Sequence, residues 1–143
     1  MDSKLAILFL CTGNSCRSQM AEGWLRYFKG DQVIVRSAGT EKHGLNPLAV
    51  KVMAESGVDI SGHDSKLTSD LDMDFDYVVT VCDNANESCP FFPAKTSMIH
   101  RGFDDPPKLA LNAKTEDDVL NYYRKVRDEI RDYVKTIPEI LKK

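Results

Sequence analysis

Leu5-Ala6-Ile7-Leu8-Phe9-Leu10-Cys11-Thr12-Gly13-Asn14-Ser15-Cys16-Arg17-Ser18 is the stretch whose reading decides the fold. Leu5 to Leu10 is an unbroken apolar run, too short to cross a bilayer, and reads as a strand buried on both faces. From Ser18 to Lys29, the apolar residues Met20, Ala21, Trp24, Leu25, Tyr27 and Phe28 recur at helical spacing, and Gly30 supplies a stop. Buried strand, tight loop and amphipathic helix together make the first half of a βαβ unit.

The rest of the chain repeats the alternation. Val33-Ile34-Val35 predicts a second strand ending near Ser37-Ala38-Gly39. Asn46-Pro47 reads as an N-cap followed by proline at the first helical position, with Ala49, Val50 and Met53 facing inward and Gly57 closing the helix. Tyr77 to Val81 predicts a third strand and Ser97-Met98-Ile99 a weaker fourth. A last helix starts near Thr115, with Val119, Tyr122, Val126, Ile130, Tyr133 and Ile137 on one face. The expectation is an α/β fold in one domain spanning residues 1–143: a four-stranded parallel sheet flanked by helices on both faces. Ligands of such sheets bind beyond the carboxyl ends of the strands, so the chemistry is expected just after Leu10 and Val81.

Those are the places where the unusual residues lie. A loop between a buried strand and a helix aims successive N–H groups at one point, with the helix dipole behind them, which suits a tetrahedral oxyanion such as phosphate, arsenate or sulfate. The expected cradle is Thr12, Gly13, Asn14, Ser15, Cys16, Arg17 and Ser18. Gly13 and Asn14 most readily accept a positive φ, and Arg17 offers a planar fork for two oxygens. Cys11, at the helix N-terminus beside an arginine, is expected as a nucleophilic thiolate, with Ser18 donating to its sulfur. Cys16 reads either as a small packed residue or as a disulfide partner protecting Cys11.

Bulk composition sets the limits. The chain has 143 residues, a formal net charge of -3, and 42% hydrophobic and 29% charged residues. That charge gives no general attraction to nucleic acid or anionic membrane, so any anion must be held by a local field. The start Met1-Asp2-Ser3-Lys4 lacks signal-peptide features, and a cytoplasmic protein is expected. Four cysteines in such a chain point to reactivity more than to a structural disulfide framework. Cys82 and Cys89 lack the spacing of a structural zinc site, and His43, His63 and His100 show no ligand pattern, so no metal or other cofactor is expected. The apolar stripe of the last helix is needed for the core, which makes a monomer the default.

The segment Cys11 to Gly23 resembles the signature loop of the low-molecular-weight protein tyrosine phosphatase fold, and within it the thioredoxin-coupled arsenate reductases. The resemblance continues through Ser37-Ala38-Gly39, His43-Gly44-Leu45-Asn46-Pro47 and Gly102-Phe103-Asp104-Asp105-Pro106. It implies that Asp105, preceding proline, is a general acid, with Asp104 the lesser candidate; by composition alone the segment is a turn rich in Asp and Pro. It also implies a redox role for Cys11, Cys82 and Cys89 in successive disulfides, with arsenate as substrate and thioredoxin as reductant. Some members hold potassium near the loop. Asn14, Glu22 and Asp64 match its ligands, whereas Lys66 stands in place of an acidic one and would itself supply the positive charge. The alternative is a tyrosine phosphatase using Cys11, Arg17 and Asp105, although Pro107 and Lys108 occupy the place where such phosphatases carry aromatic residues. A redox sensor without turnover ranks third.

Overall fold

A computed structural model describes residues 4–82 and 91–142. In chain order it contains β1 (Leu5–Leu10), α1 (Arg17–Lys29), β2 (Val33–Ala38), α2 (Pro47–Glu55), β3 (Phe75–Thr80), β4 (Ala94–His100), α3 (Pro106–Leu109) and α4 (Glu116–Val134), with short 3-10 turns between. The strands form one sheet in the order β2-β1-β3-β4 with every pairing parallel. The apolar run that predicts a doubly buried strand is β1, paired on both sides. No helix among the described residues is long and apolar enough to cross a membrane.

Alternation along the strands separates two cores. Ile7 and Phe9 of β1, with Val33, Val35, Tyr77 and Val79, face α1, α2 and α4. Ala6, Leu8 and Leu10 point the other way with Val78 and Phe75, against Leu71, Met73 and Phe92. Helix starts follow local chemistry. The Asn46 side chain accepts from the N–H groups of Leu48 and Ala49, and Thr115 accepts from Asp118 N–H, with Glu116, Asp117 and Asp118 filling the positive first turn of α4.

The expected face of α4 holds at Val126, Ile130 and Ile137, with Val119 and Tyr133 packed against the core, and fails at Tyr122. Tyr122 is 37% exposed, while Leu120, Tyr123, Val126, Ile130 and Val134 form the buried stripe of α4. Two adjacent tyrosines leave the phase to be set by packing, and Leu120 and Val134 align with Tyr123. Tyr27 of α1 is likewise exposed, at 60%. Ile130 has no exposed surface. Ile130→Ala is therefore expected to lower unfolding free energy by about 2–5 kcal/mol in urea denaturation, without altering the chemistry of the folded fraction.

The carboxyl ends of the central strands collect the residues of interest. Cys11 leaves β1 directly after Leu10, and Val81 N–H donates to the Leu10 carbonyl at 2.9 Å, so Cys82 emerges beside it. Phe103 N–H donates to the Val81 carbonyl at 3.1 Å and draws the Phe103–Pro107 segment to the same edge.

Candidate active site

The loop after β1 is held from outside. Carbonyls of Thr12, Gly13 and Ser15 accept from the N–H groups of Glu41, His43 and Asn46 at 3.0–3.1 Å, and the Ser65 hydroxyl also donates to Gly13. Because each peptide unit is planar and trans, the N–H groups of these units turn away from that frame. Helix α1 follows with no side-chain cap at Cys16 and no acidic residue in its first turn, so its positive end is left open to the loop.

A cleft of about 230 Å³ lies here, lined by Cys11, Thr12, Gly13, Ser15, Cys16 and Arg17 of the loop, and by His43, Asp105 and Pro107 from outside it. Seven of the expected residues therefore share one concavity. Asn14 and Ser18 do not line it. Both are fully buried, and they act behind the loop: Asn14 Nδ2 donates to Ser18 Oγ at 2.9 Å, and Ser18 Oγ lies 2.9 Å from Cys11 Sγ. The expected Ser18–sulfur contact is present.

Gly13 and Asn14 divide the role expected of them jointly. Asn14 has a φ of 47°, whereas Gly13 is not in the left-handed region. A Cβ on Gly13 would collide with the His43 ring, so a larger residue there would have to push that side chain aside. His43 stands in the resembling segment His43–Pro47, but a lone histidine outside any ligand pattern does not by itself point to the cleft. Its place on the cleft rim is set by the backbone hydrogen bond from His43 to Gly13.

Arg17 is almost wholly buried. Its Nη1 donates to the Phe103 carbonyl at 3.1 Å and its Nη2 lies 3.8 Å from Asp105 Oδ1. One guanidinium thus joins the loop to the Asp-Pro segment. Asp105 is the N-cap of α3 and stays 32% exposed, while Asp104 faces outward to Lys125 at 3.8 Å. The two aspartates face different ways because Pro106 opens a short helical turn directly after Asp105.

The cysteines differ in state. Burial, reinforced by Cys11 and Asp105, pushes the Cys16 thiol well above its ordinary range, so it stays neutral in spite of Arg17. Cys11 and Cys16 are both free, so no bond joins them. Cys82 is fully buried and disulfide-bonded. Cys89 lies outside the described residues.

The residues matched to potassium ligands do not fit an ion. Glu22 already accepts from the Ser37 hydroxyl and from Arg26 Nη2 at 2.6 Å. Asn14 Oδ1 accepts from Lys66 N–H, and Lys66 Nζ donates to the Asp64 carbonyl at 3.0 Å. Two protein cations stand where an ion would be held.

The sequence model of low molecular weight phosphotyrosine protein phosphatases matches residues 6–143. An arsenate reductase of Bacillus subtilis is 48% identical over 97% of this chain and 98% of its own. A solved arsenate reductase in the phosphate binding state superposes with a TM-score of 0.77 at 28% identity, covering 93% of this chain and 95% of that one. A thioredoxin-dependent arsenate reductase of Corynebacterium glutamicum gives 0.63 at 26% identity, covering 100% of this chain and 66% of that one.

Proposed function

Since the chain belongs to the low molecular weight phosphotyrosine protein phosphatase family, we propose on that premise that it is an arsenate reductase working through three cysteines, with thioredoxin as its reductant. The observation that carries this reading is the disulfide at Cys82 beside a free Cys11 thiol. Phosphate ester hydrolysis has no use for an oxidisable pair next to its nucleophile. Reduction of an oxyanion requires one.

In the proposed cycle Cys11 attacks the arsenic atom of arsenate, and an oxygen departs as water with a proton from Asp105. Loop N–H groups and Arg17 hold the remaining oxygens. The Cys82 thiolate then attacks Cys11 sulfur. The sulfur–arsenic bond breaks, arsenic keeps the electron pair and leaves as arsenite, and a Cys11–Cys82 disulfide remains. Cys89 next attacks Cys82, which frees Cys11 and forms a Cys82–Cys89 disulfide for thioredoxin to reduce. Cys16, kept neutral, stays out of the exchange because the thiolate is the reactive form. A reducing cytoplasm is the compartment in which this cycle turns over.

The test is arsenate-dependent NADPH consumption with thioredoxin and thioredoxin reductase. Sustained consumption is the expected result. Its absence, together with brisk hydrolysis of an aryl phosphate, would make the protein a phosphatase. Slow hydrolysis of small phosphate esters alongside arsenate reduction is expected in any case, since the two anions share shape and charge.

A further inference from the structure

Residues 101–105, which carry Asp105 to the cleft, belong to no helix or strand, so individual contacts fix their course. Two backbone bonds hold the entry. Arg101 N–H donates to the Thr80 carbonyl at 2.9 Å, and Phe103 N–H to that of Val81 at 3.1 Å. Between them stands Gly102, which has no side chain to anchor, and the Arg101 side chain spans that gap. Its Nη1 donates to the Gly102 carbonyl at 2.6 Å, so the peptide unit joining Gly102 to Phe103 is held at both C=O and N–H. The same guanidinium lies over the Phe103 ring, with its carbon 4.4 Å from the centroid, and reaches the Tyr133 ring of α4 at 5.7 Å. The two rings meet edge to face with centroids 6.1 Å apart. Phe103 is only 5% exposed, and its carbonyl is the one that accepts from Arg17.

We propose that Arg101 is a positioning residue for the cleft: stacked on Phe103 and bonded to the Gly102 carbonyl, it sets the direction of the Phe103 carbonyl that orients Arg17 beside Asp105. This rests on Arg17 and Asp105 acting on the oxyanion, as in the reading above, and holds equally for reductase and phosphatase chemistry. Arg101 does not itself line the cleft, so it acts through Phe103. With the ring and the N–H of Phe103 both tied, little freedom remains for its carbonyl. Without Arg101 the ring and the Gly102 carbonyl each lose a partner, and the Phe103 carbonyl can swing off Arg17. The freed guanidinium then has Asp105 to turn to, whose Oδ1 already lies 3.8 Å from Nη2. A fork drawn onto that carboxylate no longer faces the loop, and it occupies the acid.

The test compares the parent protein with Arg101→Ala, Arg101→Met and Arg101→Lys. Methionine keeps an apolar stem on the Phe103 ring without charge or donor, whereas lysine keeps a cation for the ring and a donor for the carbonyl. Reduced protein is mixed with saturating arsenate without thioredoxin, and arsenite formed in the single turnover is followed in quenched samples. Titration calorimetry with inorganic phosphate reads anion affinity before any bond breaks. Arg101→Ala and Arg101→Met are expected to react about 3- to 10-fold more slowly than the parent, the scale of one stacked cation, and Arg101→Lys within about twofold of it. Phosphate affinity is expected within about twofold of the parent throughout, because Arg17 keeps its charge while only its alignment on the transition state is lost. A parental rate in either Arg101→Ala or Arg101→Met overturns the proposal. So does Arg101→Lys as slow as Arg101→Ala, or phosphate affinity falling in step with the rate, which would mark a purely structural role. If the parent forms no arsenite, the reductase reading alone fails. The same comparison on phenyl phosphate hydrolysis, which calls on Cys11, Arg17 and Asp105 only, then decides the proposal by the same outcomes.

Discussion

Cys89→Ser is expected to form about one equivalent of arsenite per protein and then stop, while the parent continues as long as thioredoxin is recharged. Cys11 and Cys82 remain in the variant, so attack on arsenate and release of arsenite proceed once. The product is then a Cys11–Cys82 disulfide, and burial decides its fate: Cys82 has no exposed surface and Cys11 only 3%. A protein reductant must bring its own thiolate onto one of these sulfurs in line, and neither is open to it. Quantifying arsenite against protein in a quenched time course checks this. Continued turnover by the variant would remove Cys89 from the mechanism.

Arg17→Lys is expected to lower kcat/KM for arsenate by about 10²–10³-fold while keeping the formal charge. Lysine supplies a single point of donation. It cannot hold the Phe103 carbonyl and stay beside Asp105 with one planar group, as Arg17 does, and still offer the fork proposed to grip two anion oxygens. The folded state should lose only about 1–3 kcal/mol, the cost of leaving a buried carbonyl without its donor. Steady-state kinetics on arsenate, with a thermal melt of the same preparation, separate the two effects. A kinetic loss below about tenfold would mean that backbone N–H groups alone hold the anion.

Much of this arrangement was legible in the residues. The apolar run Leu5–Leu10 becomes a central strand, and the cysteine, glycine and arginine that follow meet at one cleft because the strand–loop–helix order leaves them nowhere else to go. What escaped had a physical reason each time. The phase of α4 turned on which of two neighbouring tyrosines faces inward, a choice made by Leu120 and Val134. Gly13 looked like a residue chosen for backbone freedom, yet it lies outside the left-handed region and packs under the His43 ring, a contact between segments distant in sequence. His63 showed no ligand pattern, and its contacts with Gln19 and Arg26 join a helix to a loop distant in sequence.

Strand β1 has consequences for how long the nucleophile stays where it is. It is hydrogen-bonded to β2 along its whole length and to β3 over Ile7–Leu10, with Ala6 to Leu10 all buried. Amides in such a strand exchange with solvent only when the whole molecule opens, whereas those near chain ends and exposed edges exchange through small local events. Cys11 hangs from the last element to come apart. The attacking sulfur should therefore hold its place for the full lifetime of the native state, indifferent to the local breathing that loosens the exposed edge strand β4.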